Sequence, residues 1–138
     1  MYLIGQLAKL CDVSSDTLRF YEKNGLLTPA GRSDSGYRLY NEACLKQINF
    51  ILKAKELGLS LDEIRELLEI RLEATEHSCA EVKAITSAKL TLIDGKIAEL
   101  SRIRMALKKI NDACCGEDND DASHCSILEA LAAGDKAP

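Results

Sequence analysis

The chain has 138 residues, 46% of them hydrophobic and 29% charged, with six cysteines, two prolines and no tryptophan. That length fits one domain or a small head with an extended helical arm, and the apolar content suits a buried core rather than wholesale disorder. No apolar run approaches the ~20 residues that cross a bilayer, and the opening MYLIGQLAKL lacks the basic and long apolar stretches of a signal peptide, so a soluble cytoplasmic protein with no membrane partner is expected.

A net charge of −4 and a pI of about 5.2 would argue against nucleic acid if the charge were evenly spread. It is not: residues 1–55 carry net +3, residues 56–75 net −4, residues 76–111 net +3 and residues 112–138 net −6. A mildly basic head and a strongly acidic tail are compatible with DNA held through one end only. The prolines are Pro29 and Pro138, so nothing interrupts helix between them, and Leu, Ala, Glu and Lys are abundant while aromatics are few. A mostly helical chain follows.

In chain order, Ile4, Leu7, Ala8 and Cys11 have the spacing of a short first helix. Ser14 or Ser15 can cap a second, running to Asn24 and stopped by Gly25. Two short helices joined by a tight turn form a helix-turn-helix. Pro29, Gly31 and Asp34-Ser35-Gly36 then punctuate short extended pieces that read as a hairpin, or wing, with Tyr37, Arg38 and Tyr40 on its return strand. Asn41 caps a third helix ending at Gly58, and Ser60 with Glu63 forms a capping box for a fourth. Ser78 and Glu81 repeat that box before a long run broken only by Gly95 until Cys114-Cys115-Gly116, along which Leu90, Ile93, Ile97, Leu100, Ile103, Leu107 and Ile110 make a coiled-coil-like seam. EDNDDASH is an acidic loop, and Ser126 with Glu129 is expected to cap a last short helix stopped by Gly134.

The second helix offers Ser15, Thr17, Arg19 and Tyr21, suitable groups for a major groove, while Arg32, Tyr37 and Arg38 on the wing would reach the adjoining backbone. Taken alone, these residues fit an amphipathic surface helix equally well. Together, TLRFYEKNGLLTPAGRSDSGYRLY and the following GLSLDEIRELL closely resemble the signature of the MerR family of bacterial transcription regulators, over roughly the first 70 residues. The resemblance implies an all-α fold with a small β wing: a winged helix-turn-helix head, two auxiliary helices and a long antiparallel dimerisation helix. It implies a homodimer that binds double-stranded promoter DNA, with Arg19, Tyr21, Tyr37 and Arg38 at gripping positions. It also implies activation by kinking and untwisting the promoter for RNA polymerase, a deformation that costs a few kcal/mol, about what differential protein contacts can supply. The expected domains are a DNA-binding head over residues 1–70, a linker over 71–79, a dimerisation helix over 80–115 and a metal-binding loop with a short helix over 116–138.

Only 22 residues follow Gly116, too few to enclose an organic effector, so a small inducer is expected. Cysteines without a secretion signal should be thiols rather than a disulfide framework. Cys11 and Cys44 read as small buried hydrophobes. Cys79 opens the long helix, where free N–H groups favour thiolate, whereas Cys114, Cys115 and Cys125 sit at the far end, and such thiolates suit Zn²⁺. Cys79 and Cys114 are 35 residues apart, roughly 52 Å of helix, so one straight helix cannot bring both to one ion. Two copies packed antiparallel about Ile97 can. Pairing positions that sum to 193 then sets Ile93 on Leu100 and Leu90 on Ile103, and each site takes Cys79 from one protomer and Cys114, Cys115 and Cys125 from the other.

Within the family, a cysteine at the start of the dimer helix goes with divalent ions, and HSCAEVK, INDACCG and CSILEAL are similar to zinc-responsive members. Zn²⁺ is therefore the expected ion, with Cd²⁺ or Pb²⁺ as alternatives that soft thiolates also suit. Those members carry a histidine inside the loop; here residues 117–123 have none, and His124 beside Cys125 is the candidate substitute, with loop carboxylates as another. His77 reads as a solvated linker residue, and the loop acids as a solvated surface that attracts cations. A thiol redox switch is a rival reading, and a metal buffer without a DNA role is another. No Ser-His-Asp set, phosphate loop or HExxH motif is present, so no enzyme and no catalytic residue is expected.

Overall fold

A computed structural model describes residues 1–114, 116–117, 121–134 of the chain; Cys115, residues 118–120 and residues 135–138 lie outside the described set. The chain divides into two compact units, Met1–Thr86 and Ser87–Pro138. The first holds α1 (Ile4–Cys11), α2 (Ser15–Lys23), a two-stranded antiparallel wing of β1 (Gly31–Arg32) and β2 (Arg38–Leu39), α3 (Glu42–Glu56), α4 (Leu61–Leu72) and a 3₁₀ turn (Ala74–Glu76). The long helix α5 (Cys79–Asp112) starts there and continues into the second unit, which adds a 3₁₀ turn (Ala122–His124) and α6 (Ser126–Ala132).

Local chemistry sets the boundaries. Ser14 Oγ accepts from Thr17 N–H at the start of α2, Asn41 Oδ1 accepts from Cys44 N–H at the start of α3, and Ser60 with Glu63 closes a reciprocal box at α4. Ser78 and Glu81 do the same for α5. Each cap supplies a partner to an N–H that the helix leaves open. Gly25 and Gly58 follow α2 and α3 with φ of 73° and 82°, the left-handed region that ends a helix at little cost only for glycine.

In the wing, Gly31 pairs with Leu39 and Arg32 with Arg38. Tyr40 then bridges to Tyr2 through two backbone hydrogen bonds, which fastens the wing to the chain start. Leu7, Leu18, Leu26, Tyr40, Ile48, Ile51 and Ile64 are fully buried and form one core beneath α1 to α4.

The second unit has the opposite character. Among the described residues of α5 none is buried, and Leu90, Ile97, Leu100, Ile103 and Leu107 are all more than half exposed. The expected cap of α6 also differs: Ser126 is the first helical residue and Cys125 stands at the cap position. The loop and 3₁₀ turn end one residue earlier than a Ser-based cap requires.

Ile48→Ala should lower the unfolding free energy by about 2–5 kcal/mol, because the site is enclosed on all sides. Urea denaturation of the metal-free protein measures it; a loss below 0.5 kcal/mol would contradict a close-packed head (roughly the surface range).

Candidate nucleic-acid interface and metal centre

Residues 15, 17, 19 and 21 alternate at a spacing of two, which a helix of 3.6 residues per turn cannot hold on one face. The structure separates them accordingly. Arg19 is exposed and pairs through Nη1 with Asp16 Oδ1 at 3.0 Å, and Thr17 Oγ1 lies 2.8 Å from Ser14 Oγ. Ser15 is half-buried in the first turn of α2. Tyr21 is 2% exposed: with Leu18 it forms the inward i, i+3 stripe of α2, so it is not on the exposed face that was expected to offer it beside Ser15, Thr17 and Arg19. Burial raises the proton affinity of its phenol. The exposed aromatic on α2 is instead Phe20, 45% accessible, which the sequence reading left out.

On the wing, Tyr37 and Arg38 are exposed, and Arg32 Nη1 donates to Gly36 O at 3.0 Å across the turn. Arg38 Nη1 lies 3.4 Å from Glu22 Oε2, and the same carboxylate accepts a hydrogen bond from the Tyr40 hydroxyl. Burial, then Glu22, pushes the Tyr40 phenol far above its ordinary range. A cleft of about 580 Å³ is lined by the start of α1 together with Arg19, Tyr37, Arg38 and Tyr40. Cations of α2 and of the wing thus border one concave surface.

The second unit carries the other site. Cys114 Sγ and Cys125 Sγ are 3.9 Å apart, eleven residues distant in sequence, and both line a cleft with Gly116, Glu117, Asp121 and His124. Tetrahedral zinc with sulfur at about 2.3 Å sets neighbouring sulfurs about 3.8 Å apart, so this pair fits one edge of such a shell. The backbone N–H groups of Leu128, then Ile127, at the start of α6 hold the Cys125 thiol below its usual range, which favours the ligating thiolate. Asp121 accepts from Ser123 N–H and from its hydroxyl, which depresses its carboxyl. His124 is exposed on the wall of the cleft.

Cys79 is exposed as the first residue of α5. Just before it, His77 Nδ1 sits 2.7 Å from Glu81 Oε2, and Glu81 chiefly raises the imidazole's proton affinity. His77 is therefore hydrogen-bonded to the first turn of α5 and half-buried rather than fully solvated. Cys44 is buried and donates its S–H to Thr28 O, and Cys11 lies half-buried in the head with its thiol raised by burial. Among the described residues, no three donor side chains converge on one point. The expected ligand Cys115 lies outside the described residues. No helix among the described residues is long and apolar enough to cross a membrane.

The family profile described as "MerR HTH family regulatory protein" matches residues 2–70, and one described as "MerR, DNA binding" matches residues 45–110. The chain is 45% identical over 134 residues to the HTH-type transcriptional regulator ZntR of Escherichia coli K12, covering 97% of this chain and 94% of that protein. Its fold is similar to the crystal structure of the transcription regulator PbrR691 from Ralstonia metallidurans CH34 in complex with lead(II), with a TM-score of 0.84, 36% identity and coverage of 95% and 99%. HiNmlR, a MerR family regulator lacking the sensor domain and solved bound to promoter DNA, matches with a TM-score of 0.57, 27% identity and coverage of 80% and 83%.

Because the Cys125 proton affinity is lowered on folding, thiolate appears at lower pH in the native chain than in the unfolded one. Iodoacetamide alkylation of Cys125 in metal-free protein, followed by mass spectrometry, should therefore begin at lower pH than in urea. Identical pH profiles in both states would contradict the α6 arrangement.

Proposed function

The chain belongs to the MerR family of helix-turn-helix transcription regulators, and from that membership we propose that it is a homodimeric, zinc-responsive activator of metal-export or resistance genes. The family comprises DNA-binding regulators rather than enzymes, and relatives of this chain are metal-responsive. The observation that supports a four-coordinate divalent ion is the 3.9 Å separation of Cys114 and Cys125 sulfurs, and the 45% identity to ZntR favours zinc among such ions. That separation suits an edge of a four-coordinate thiolate shell; a linear two-coordinate ion would spread its sulfurs to twice the metal–sulfur distance. Cd²⁺ or Pb²⁺ is the second reading, favoured by the lead(II) complex of PbrR691.

Two thiolates leave a tetrahedral shell half filled. In this reading Cys115 and the partner's Cys79 complete it, with His124 or Asp121 available at the cleft wall for further contacts. The bare apolar stripe of α5 supports pairing with a second copy, since leaving five large aliphatic side chains in water forgoes about 1.5–3 kcal/mol each. Antiparallel packing about Ile97 covers that stripe and carries each Cys79 toward the other chain's loop.

The heads grip the promoter through Arg19, Tyr37 and Arg38, with Arg32, Ser15 and Thr17 beside them. Closure of the loop onto the ion links α6 of one chain to the start of α5 in the other, and α5 follows directly on the head through α4 and the 3₁₀ turn. Metal binding shifts transcription to the extent that the ion prefers the arrangement of heads that bends DNA, and RNA polymerase then uses the realigned promoter.

A reporter driven by the cognate promoter, read across buffered Zn²⁺, Cd²⁺, Pb²⁺ and Cu⁺, tests the proposal. Induction should be strongest for Zn²⁺ and should vanish in Cys79→Ser and in Cys114→Ser, while gel-shift affinity stays within about threefold (surface changes away from DNA perturb little). Induction retained in both variants would overturn the site assignment, and a peroxide response without a metal response would overturn metal sensing.

A further inference from the structure

Glu22 is out of place electrostatically. It lies on the helix expected to meet a polyanion, where a bare carboxylate repels phosphate, yet it is held tightly, with its side chain only 11% exposed. On one side it accepts a hydrogen bond from the hydroxyl of Tyr40. Tyr40 is itself anchored, with a fully buried ring and backbone hydrogen bonds of 2.7 and 2.8 Å to Tyr2. On the other side Glu22 Oε2 meets Arg38 Nη1 at 3.4 Å. Glu22 belongs to α2 and Arg38 to β2, so one carboxylate joins the recognition helix, the core and the wing.

A guanidinium has five N–H donors in a planar fork, and this contact engages one nitrogen and leaves the rest free. Arg38 remains about half exposed and lines the same cleft as Arg19. We propose that Glu22 is a positioning residue for DNA binding: it presets the wing's Arg38 for a backbone phosphate and fixes it in register with α2. Preordering a long side chain removes rotamer entropy that binding would otherwise have to overcome, and that gain exceeds the repulsion of a charge already paired. The inference rests on the reading that Arg38 meets DNA.

The test is a double-mutant cycle with the full chain on a labelled duplex that the wild-type protein selects from a random pool. Glu22→Gln keeps an acceptor for Tyr40 but gives up the charge that holds Arg38. It should bind about tenfold more weakly, although it removes a negative charge from the DNA face. Arg38→Ala should weaken binding by about tenfold or more and lower the salt slope by about one. The Glu22→Gln, Arg38→Ala double variant should bind no more weakly than Arg38→Ala alone. Tyr40→Phe, which keeps the ring, carries the same test if Glu22→Gln melts early: a smaller loss is expected, silent in the Arg38→Ala background.

Glu22→Gln binding as tightly as wild type or tighter, or losses that multiply in the double variant, would overturn the inference while leaving DNA binding intact. No loss in Arg38→Ala would overturn the Arg38 contact and the inference with it. Failure of the wild-type protein to select any duplex would instead defeat the functional reading.

Discussion

A tetrahedral ion needs four donors, and among the described residues, which leave out Cys115, two sulfurs stand at the separation that such a shell requires. In the proposed site the other two donors are Cys115 and the partner's Cys79. A long helix with no buried residue among those described, an exposed aliphatic stripe along it and a cysteine at its first position are all features that a second copy would satisfy. In the proposed arrangement, sharing an ion between subunits would make the sensor and the dimer interface one physical object. A change in the shell is then a change in how two chains are held, which a regulator needs if it is to move two heads at once.

The head illustrates a different economy. Beside its apolar core, polar ties fix the element ends: four side-chain caps, the Tyr2–Tyr40 bridge and Arg65, whose Nη2 donates to Asn24 O at the end of α2. Several of these ties converge on α2. Arg65 holds its C-terminal end from α4, Glu22 holds the wing from its last turn, and Leu18 and Tyr21 hold its inner face to the core. In this way α2 is fixed from three directions, which suits a part proposed to present Arg19 to DNA at a set angle.

What the sequence disclosed follows from range. Caps and glycine stops involve residues within four positions, so Asn41, Ser60, Ser78, Gly25 and Gly58 could be read from order alone, whereas order left Ser14 and Ser15 open at α2 and the structure uses Ser14. Placing Tyr21 on one exposed face with Ser15, Thr17 and Arg19 followed residue type without the helical period, which turns Tyr21 inward beside Leu18. Cys125 at the α6 cap was missed because serine is the expected capping residue and a thiol is not. The Glu22, Arg38 and Tyr40 cluster joins residues 16 and 18 positions apart and had no local signal. The Cys114–Cys125 approach could be anticipated only as chemistry, since loop closure and not spacing brings the sulfurs together.

The decisive measurement is metal binding by a mixed dimer in which one chain carries Cys79→Ser and the other Cys114→Ser. If each site takes Cys79 from one subunit and the loop thiols from the other, the mixed dimer keeps one intact shell and loses the second. Cobalt titration should then show one thiolate-rich site per mixed dimer, about half the wild-type charge-transfer absorbance, and no full shell in either parent dimer. A mixed dimer as defective as its parents would mean that each shell is built within a single chain, and would contradict the account.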